Sequence, residues 1–367
     1  MFDLKYERRR RKKHIPEEIW FEILARLPVK SLLRFRCVCK SWNTLISSPG
    51  FKTAHLGKNI MRDSYDYLLI RTANYRFSLY CRDTVAKCLD LELPEQENIS
   101  LRINGSCNGL LCLSNHLGRC LRNPLYLWNP SIRKFKRLPK GLIHNPQHFK
   151  HTIRFDATGF GFHSGENDYK VVRIVRFLGK KCIFEVEVYS VRLDAWKRIS
   201  AVPPLSPNVS SFNTNAFAYI DGVVYWIVFD HSQQRSSILS FDFVGEVFQK
   251  IVLPDKMGKG IEFFHTSIGV FERLVSMLHY RQDGKDYYCD IWVLEMETWK
   301  MIRTIIFPER GWITWPLGFR ATGGVHMVML GGDFILYGAE PRQLNPLGIK
   351  LHDGYVSAYS ESLILLD

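Results

Sequence analysis

Residues Ile15 to Leu56 read IPEEIWFEILARLPVKSLLRFRCVCKSWNTLISSPGFKTAHL, and this stretch decides how the chain divides. Three short apolar patterns follow one another at roughly helical spacing: Ile19, Ile23, Leu24 and Leu27; then Val29, Leu32 and Leu33; then Trp42, Leu45 and Ile46. Pro16 with Glu17 and Glu18 marks a start, since the first helical turn tolerates a missing N–H and favours negative charge. Leu27-Pro28 marks a stop, because the residue before a proline is steered out of the α region, and Pro28 suits the start of the next helix. Ser48-Pro49-Gly50 reads as the close of the third helix. A unit of about 40 residues seldom encloses a sufficient core without disulfides, metal or a partner. Ile19, Trp20, Ile23, Leu24 and Leu27 cover more of the first helix than one inward stripe needs, so the surplus is expected to meet another chain.

The same residues carry a resemblance. Pro16, Ile19, Ile23, Leu24, Leu27-Pro28, Leu32, Arg36, the Cys37-Val38-Cys39 run, Lys40 and Trp42 resemble an F-box of the plant type, without a gap. The resemblance implies helices that dock on a SKP-like adaptor, which joins a cullin and a RING protein into an SCF-type ubiquitin ligase. It also implies Pro16, Ile19, Ile23, Leu24, Leu27, Pro28, Leu32, Val38 and Trp42 as the adaptor-binding residues. Cys37 and Cys39, with no CxxC partner, are expected to be small apolar packing residues.

Beyond residue 56 the texture changes to short runs rich in Val, Ile, Phe, Tyr and Trp, punctuated by Gly, Pro, Asn and Asp. A closing-hairpin theme recurs four times: Leu127-Trp128-Asn129 to Phe135-Lys136, Val188-Tyr189-Ser190 to Trp196-Lys197, Ser240-Phe241-Asp242 to Phe248-Gln249, and Val293-Leu294-Glu295 to Trp299-Lys300. In the first three copies the polar residue precedes the aromatic by six positions; the fourth is two shorter. The aromatics are separated by 61, 52 and 51 positions, an interval that fits a four-stranded antiparallel blade. A weaker first unit spans Tyr65 to Pro94, and a last one starts near Trp315. Val356 to Leu366 is expected to be a terminal strand completing a blade begun by the N-terminal strands, which removes an exposed edge.

The fold class is therefore α+β and multidomain: a small helical unit, then an all-β domain expected to be a six-bladed propeller-like ring, with an irregular β-sandwich as the alternative. The divisions are a basic leader (1–13), the helical domain (14–56), a polar connector (57–64) and the β domain (65–367). Most of residues 100–366 resembles the F-box-associated domain found behind plant F-boxes. The motifs are Gly105-Ser106-Cys107-Asn108-Gly109-Leu110, Leu127-Trp128-Asn129-Pro130-Ser131, Gly159-Phe160-Gly161-Phe162 with Asp168-Tyr169-Lys170-Val171-Val172, Asp221-Gly222 with Trp226, and Tyr359-Ser360-Glu361-Ser362-Leu363. That resemblance implies a protein-interaction module whose targets vary between members.

Composition narrows the function classes. The formal charge is +14, but seven basic residues against Asp3 and Glu7 crowd into the first 13 positions. That tail reads either as a nuclear-localisation or polyanion-attracting segment or as a solvated leader. No apolar run reaches the roughly 18 residues a membrane span needs, and no apolar region backs the leading charges as in a secretory signal. Nine cysteines without a framework spacing agree with a reducing compartment, so an intracellular location, nuclear and/or cytoplasmic, is expected.

No catalytic constellation stands out. His144, His148 and His151 have metal-like spacing, but Asn145-Pro146 interrupts them and no acidic or Cys ligand accompanies them. Gly159, Gly161 and Gly165 are one residue too long for a dinucleotide fingerprint and are read as strand-packing glycines. Cys107, Cys112 and Cys120 are read as strand-borne buried thiols, and Trp128, Trp196, Trp226, Trp292 and Trp299 as blade core. The expectation is a non-catalytic substrate-recognition subunit without metal or cofactor, its β domain holding a target protein whose contact residues stay unnamed. The alternative is a nucleic-acid-binding regulator using the basic segment, whose binding would weaken steeply with salt.

Overall fold

The computed structural model describes residues 15–61, 67–72, 76–81, 84–93, 101–115, 124–143, 152–178, 182–206, 209–230, 232–254, 257, 266–284, 286–307, 313–319, 325–329, 332–338 and 344–364. The basic leader, the histidines at 144, 148 and 151, Cys120 and Leu365-Leu366 lie outside the described residues.

Four helices come first, one more than the sequence predicts: α1 (Glu17–Leu24), α2 (Val29–Phe35), α3 (Lys40–Ser47) and α4 (Pro49–Met61). The fourth begins where the sequence suggests a stop. Pro49 takes the first helical position, where its missing N–H costs nothing, and the Ser48 hydroxyl accepts the Phe51 N–H at 3.3 Å. Ser48-Pro49 thus ends one helix and caps the next, and α4 runs through residues 57–61 of the expected connector.

The strands follow in chain order. β1 (Tyr67–Thr72), β2 (Phe77–Cys81) and β3 (Lys87–Leu91) pair in sequence. Four separate four-stranded antiparallel sheets come next. They comprise β4 (Leu101–Cys107), β5 (Leu110–Asn115), β6 (Leu125–Asn129) and β7 (Lys134–Arg137); β8 (Thr152–His163), β9 (Asp168–Leu178), β10 (Ile183–Ser190) and β11 (Ala195–Ile199); β12 (Val209–Ile220), β13 (Val223–Asp230), β14 (Arg235–Asp242) and β15 (Val247–Val252); and β16 (Thr266–Phe271), β17 (Leu274–Asp283), β18 (Asp286–Glu295) and β19 (Thr298–Phe307). The chain ends with β20 (Ile313–Phe319), β21 (Val325–Met329), β22 (Asp333–Tyr337) and the 16-residue β23 (Leu344–Tyr359).

The repeat read in the sequence is the outer hairpin of each four-stranded sheet. Trp128 lies opposite Phe135, Tyr189 opposite Trp196, Phe241 opposite Phe248 and Leu294 opposite Trp299. The polar residue before the turn holds that turn together. Asn129 accepts the Ser131 N–H at 3.0 Å, the Ser190 hydroxyl accepts that of Leu193 at 3.1 Å, and Asp242 accepts those of Val244 and Gly245. In these three, four turn residues end in a left-handed one, Arg133, Asp194 or Glu246. The fourth copy is two residues shorter because Met296 and Glu297, both at positive φ, make a two-residue turn instead.

Apolar clusters fill the spaces between neighbouring sheets. Val172, Ile174, Val186 and Val188 of the second four-stranded sheet meet Val224, Trp226, Val228, Leu239 and Phe241 of the third. Gly159 belongs to that seam: a Cβ there would stand 2.5 Å from Trp226 and 2.8 Å from Val224, so the glycine serves close packing rather than phosphate binding. Cys107 and Cys112 are buried, and desolvation pushes the Cys107 thiol up to about 12. Trp128, Trp196, Trp226 and Trp292 are buried, whereas Trp299 is only half-buried.

The expected six blades become five. β23 pairs with β22 through Leu344–Lys350 and then, without interruption, with β1 through Leu351–Tyr359. The first and last units expected from the sequence are therefore one seven-stranded sheet, ordered β20-β21-β22-β23-β1-β2-β3. The terminal strand does close the ring, but it ends at Tyr359 rather than running to Leu366.

Residues 360–364 have another role. The buried Asn129 amide donates to the carbonyls of Ser362 (3.0 Å) and Ile364 (2.8 Å), and the Ser131 and Tyr359 hydroxyls lie 2.7 Å apart. Gly109, at φ 75° in the β4–β5 turn, lies beneath this segment; a Cβ would come within 2.6 Å of the Ser360 carbonyl. So held, the segment delivers Leu363 into the helical core of Leu24, Ala25, Val29, Leu32, Ile46 and Phe51, with Ile132 packed alongside. It also delivers Glu361, whose Oε2 accepts the Val29 N–H at 3.3 Å. Helix α2 has no side-chain cap of its own and no acid in its first turn, so a carboxylate 332 residues away occupies the positive end of that helix.

Leu363→Ala is expected to destabilise the helical module by about 3 kcal/mol, the scale of emptying a buried leucine site. Limited proteolysis would cut α1–α4 faster in that variant while leaving the propeller resistant; unchanged cutting would exclude the coupling. A second outcome concerns pH. His55 is buried, its Nε2–H donates to the Leu27 carbonyl at 2.9 Å, and its Nδ1 has no partner among the described residues. Burial, with Lys58 nearby, lowers its pKa below the ordinary 6.5 even though the Leu27 bond opposes this. Because the folded form holds the imidazole neutral, its stabilisation is intact above the unfolded value and is lost as pH falls below 6.5 toward the lower folded value. Unfolding of the helices followed by far-UV circular dichroism should show lower stability at about pH 5.5 than at about 7.5, with a flatter dependence in His55→Gln.

Candidate functional site

The apolar residues of the helical module divide into an interior set and an open set. Leu24 (1% exposed) and Leu32 (0%) point into the shared core with Leu363, so they are packing residues, not open anchors. Ile19 (49%), Ile23 (44%) and Val38 (62%) are exposed although nothing polar compensates them. Pro16 and Pro28 are also exposed, and Leu27 and Trp42 are half-buried. Of the nine residues that sequence reasoning names, five are thus open to solvent, two are partly covered and two are interior.

The open side is built on a braced scaffold. Trp42 meets Trp20 edge to face with centroids 5.0 Å apart and Phe35 at 5.3 Å. Phe21 packs edge-on against Phe51 at 5.3 Å, and Phe51 stacks on His55. Glu22 pairs with Lys58 at 2.6 Å and Arg26 at 3.6 Å, which ties α1 to α4 across the surface. Those contacts hold the carboxyl of Glu22 below its ordinary range. The Arg36 Nε–H donates to Asn43 at 2.9 Å, linking α2 to α3.

Cys37 and Cys39 depart from expectation: both thiols are exposed rather than packed. Cys39 stands in extended backbone at the start of α3, with its sulfur 3.2 Å from the Ser41 hydroxyl, and that contact and the Trp42 N–H lower its pKa. Connections between short helices put their residues outside the core. No His, Cys, Asp or Glu group among the described residues is arranged to hold a metal, and no described helix is long and apolar enough to cross a membrane.

Sequence reasoning missed three contributors to this site, one of them Leu363 of the tail. Ile132 lies in the 3-10 turn after β6, and Glu361 lies beyond the last strand; neither has a local pattern that points to a helix. The available signal was the pair of motifs around Asn129 and Ser362, which the fold brings into contact.

Comparison with known proteins agrees with this division. Residues 13–54 match the F-box domain, and residues 62–306 match the F-box associated beta propeller domain. The chain is 28% identical to the F-box/kelch-repeat protein At3g23880 of Arabidopsis thaliana over 306 residues, covering 80% of this chain and 79% of that one. It is 28% identical to the F-box protein CPR1 of Arabidopsis thaliana over 319 residues, covering 80% and 74%. Among solved structures, it is similar to the Dos1 propeller at 8% identity and a TM-score of 0.38, over 77% of this chain and 66% of that one. The helical face, the propeller behind it and the two domain matches lead to one conclusion: the chain belongs to the family of F-box proteins that carry an F-box associated beta propeller domain.

Proposed function

We propose that this chain is the substrate-recognition subunit of an SCF-type ubiquitin ligase. Its exposed helical side docks on a SKP-like adaptor, through it on a cullin and RING scaffold, and its β domain holds the target protein. The observation that carries this reading is the split of the helical module: its interior is fixed to the propeller through Leu363, while Ile19 and Ile23 of α1 and Val38 of the α2–α3 connection stay uncovered. Exposed apolar clusters of that kind mark interaction sites. The adaptor-facing set is accordingly Pro16, Ile19, Ile23, Pro28 and Val38, with the half-buried Leu27 and Trp42 at its margin. Leu24 and Leu32 support that set from within.

Such a subunit breaks no bond itself. Two binding surfaces on one body raise the effective concentration of a target near the ubiquitin-loaded enzyme, and that effect depends on the geometry between them.

The double variant Ile19→Asp with Val38→Asp changes only exposed side chains, so it should fold with an unchanged melting temperature. It should lose at least about tenfold in affinity for a purified SKP-like adaptor, the scale of removing central apolar anchors. Undiminished capture of the adaptor by the folded double variant would refute the docking face.

A further inference from the structure

An open cleft of about 730 Å³ lies between the sheet β12–β15 and the sheet β16–β19, lined by Pro254, Arg281, Asp290, Trp292, Trp299 and Met301. Its apolar wall is rigid on one side and available on the other. The Trp299 indole N–H donates to the Val252 carbonyl at 3.1 Å, which ties β19 to the neighbouring sheet, while Met301 is half exposed.

The charged wall is held more tightly. The Arg281 Nε–H donates to Asp290 at 2.7 Å, and the guanidinium carbon lies 4.3 Å from the Tyr288 ring centroid. Asp290 is itself buried and receives the Thr304 hydroxyl on its other oxygen at 2.6 Å. Arg281 is therefore held along one edge and one face. Its two terminal nitrogens have no hydrogen-bond partner among the described residues, and its side chain is 40% exposed. A guanidinium fixed in this way presents two parallel N–H groups, the geometry that takes a carboxylate.

The charge count decides between anions. Asp290 already neutralises much of Arg281, Asp283 adds further negative charge nearby, and no second cation lines the cleft among the described residues. A phosphate with nearly two charges is recognised by arginine clusters, whereas a single carboxylate suits one partly compensated arginine. Openness argues for a chain segment, since small ligands are mostly enclosed.

We propose that this cleft binds an extended segment of the target protein in which an Asp or Glu lies beside an apolar side chain, the carboxylate on the free end of Arg281 and the apolar group against Trp299 and Met301. The proposal rests on the reading of the β domain as the target-holding part. It is tested by panning a random dodecapeptide phage library on the purified full chain, in parallel with Arg281→Gln and with Met301→Ala, which removes the apolar contact and adds no charge beside Arg281. The wild type should enrich peptides with Asp or Glu within two positions of Leu, Met, Phe or Trp. A synthetic peptide from that set should bind about tenfold more weakly to Arg281→Gln, the scale of a charge-assisted hydrogen-bonded contact, and more weakly to Met301→Ala as well. Replacing its acidic residue by Gln should cost the same in the wild type and nothing further in Arg281→Gln. Enrichment of the same peptides by both arginine forms, no enrichment of acidic peptides, or tighter binding of a phosphoserine version would each overturn the assignment. Adaptor capture measured on the same preparations separates the two readings: its loss in the wild type would overturn the ligase role and leave the peptide result readable.

Discussion

The buried amide of Asn129 is the fixed point of the molecule. It lies at the end of β6, one residue from a tight turn, and it binds the backbone of a segment more than 230 residues later. An asparagine in such a place satisfies two carbonyls that would otherwise be costly to bury, so the register of the tail is specified by polar groups rather than by shape alone. From that register follow the delivery of Leu363 into the helical core and of Glu361 to the start of α2. The helical module is in this sense completed by the far end of the chain. A short helix such as α2 cannot satisfy its first N–H groups alone, and the propeller supplies a partner where the sequence around Pro28 has none.

This arrangement accounts for the excess of apolar residues on α1. A four-helix unit of this size does not bury Leu24, Ala25 and Leu32 to completion by itself, and here part of the enclosure comes from Ile132 and Leu363. What is left over is confined to one side, and that side is braced by the Trp20–Trp42 contact and by Glu22 with Lys58. The two proposed binding surfaces then keep a set relation. The helical side is clamped to the sheet β4–β7, and the cleft of Arg281 belongs to sheets whose inner strands contact one another around the ring. A flexible tether would lower the effective concentration that a two-site subunit supplies; a clamped one keeps it.

Much of this is legible in the sequence because it rests on local periodicity. The outer hairpins are marked by an aromatic residue opposite its partner and an Asn, Ser or Asp that holds its own turn, and even the short fourth copy follows from Met296-Glu297 replacing a four-residue turn. Pro49 misleads because the same proline that ends α3 is well suited to begin α4. The blade count misleads for a different reason. Pro346 and Gly348 look like strand breakers, yet β23 passes through both and continues onto β1, since pairing with β22 across Leu344–Lys350 overrides local preference. The division of the anchor set into open and interior residues is hidden because Leu363 comes from the other end of the chain. The cleft is hidden because Pro254, Arg281, Asp290 and Trp299 are scattered over four segments with no shared spacing.

Closure also constrains how such a chain reaches its fold. The seven-stranded sheet needs β23 before β1 has a neighbour on its second edge, so the first strands made are among the last to be fully paired. Until then β1 presents unpaired backbone groups and the apolar residues Leu68, Leu69 and Ile70, a hazard that contacts of high sequence separation impose generally. The four intervening sheets are each contiguous in sequence, and their described strands pair only within their own sheet, so they satisfy their backbone groups without waiting for the chain end. The helices face the same delay as β1, because both Glu361 and Leu363 lie beyond β23. Completion of the helical core therefore needs the same late part of the chain that closes the ring, so the side of α1 proposed to dock rests on a core that the propeller helps to complete.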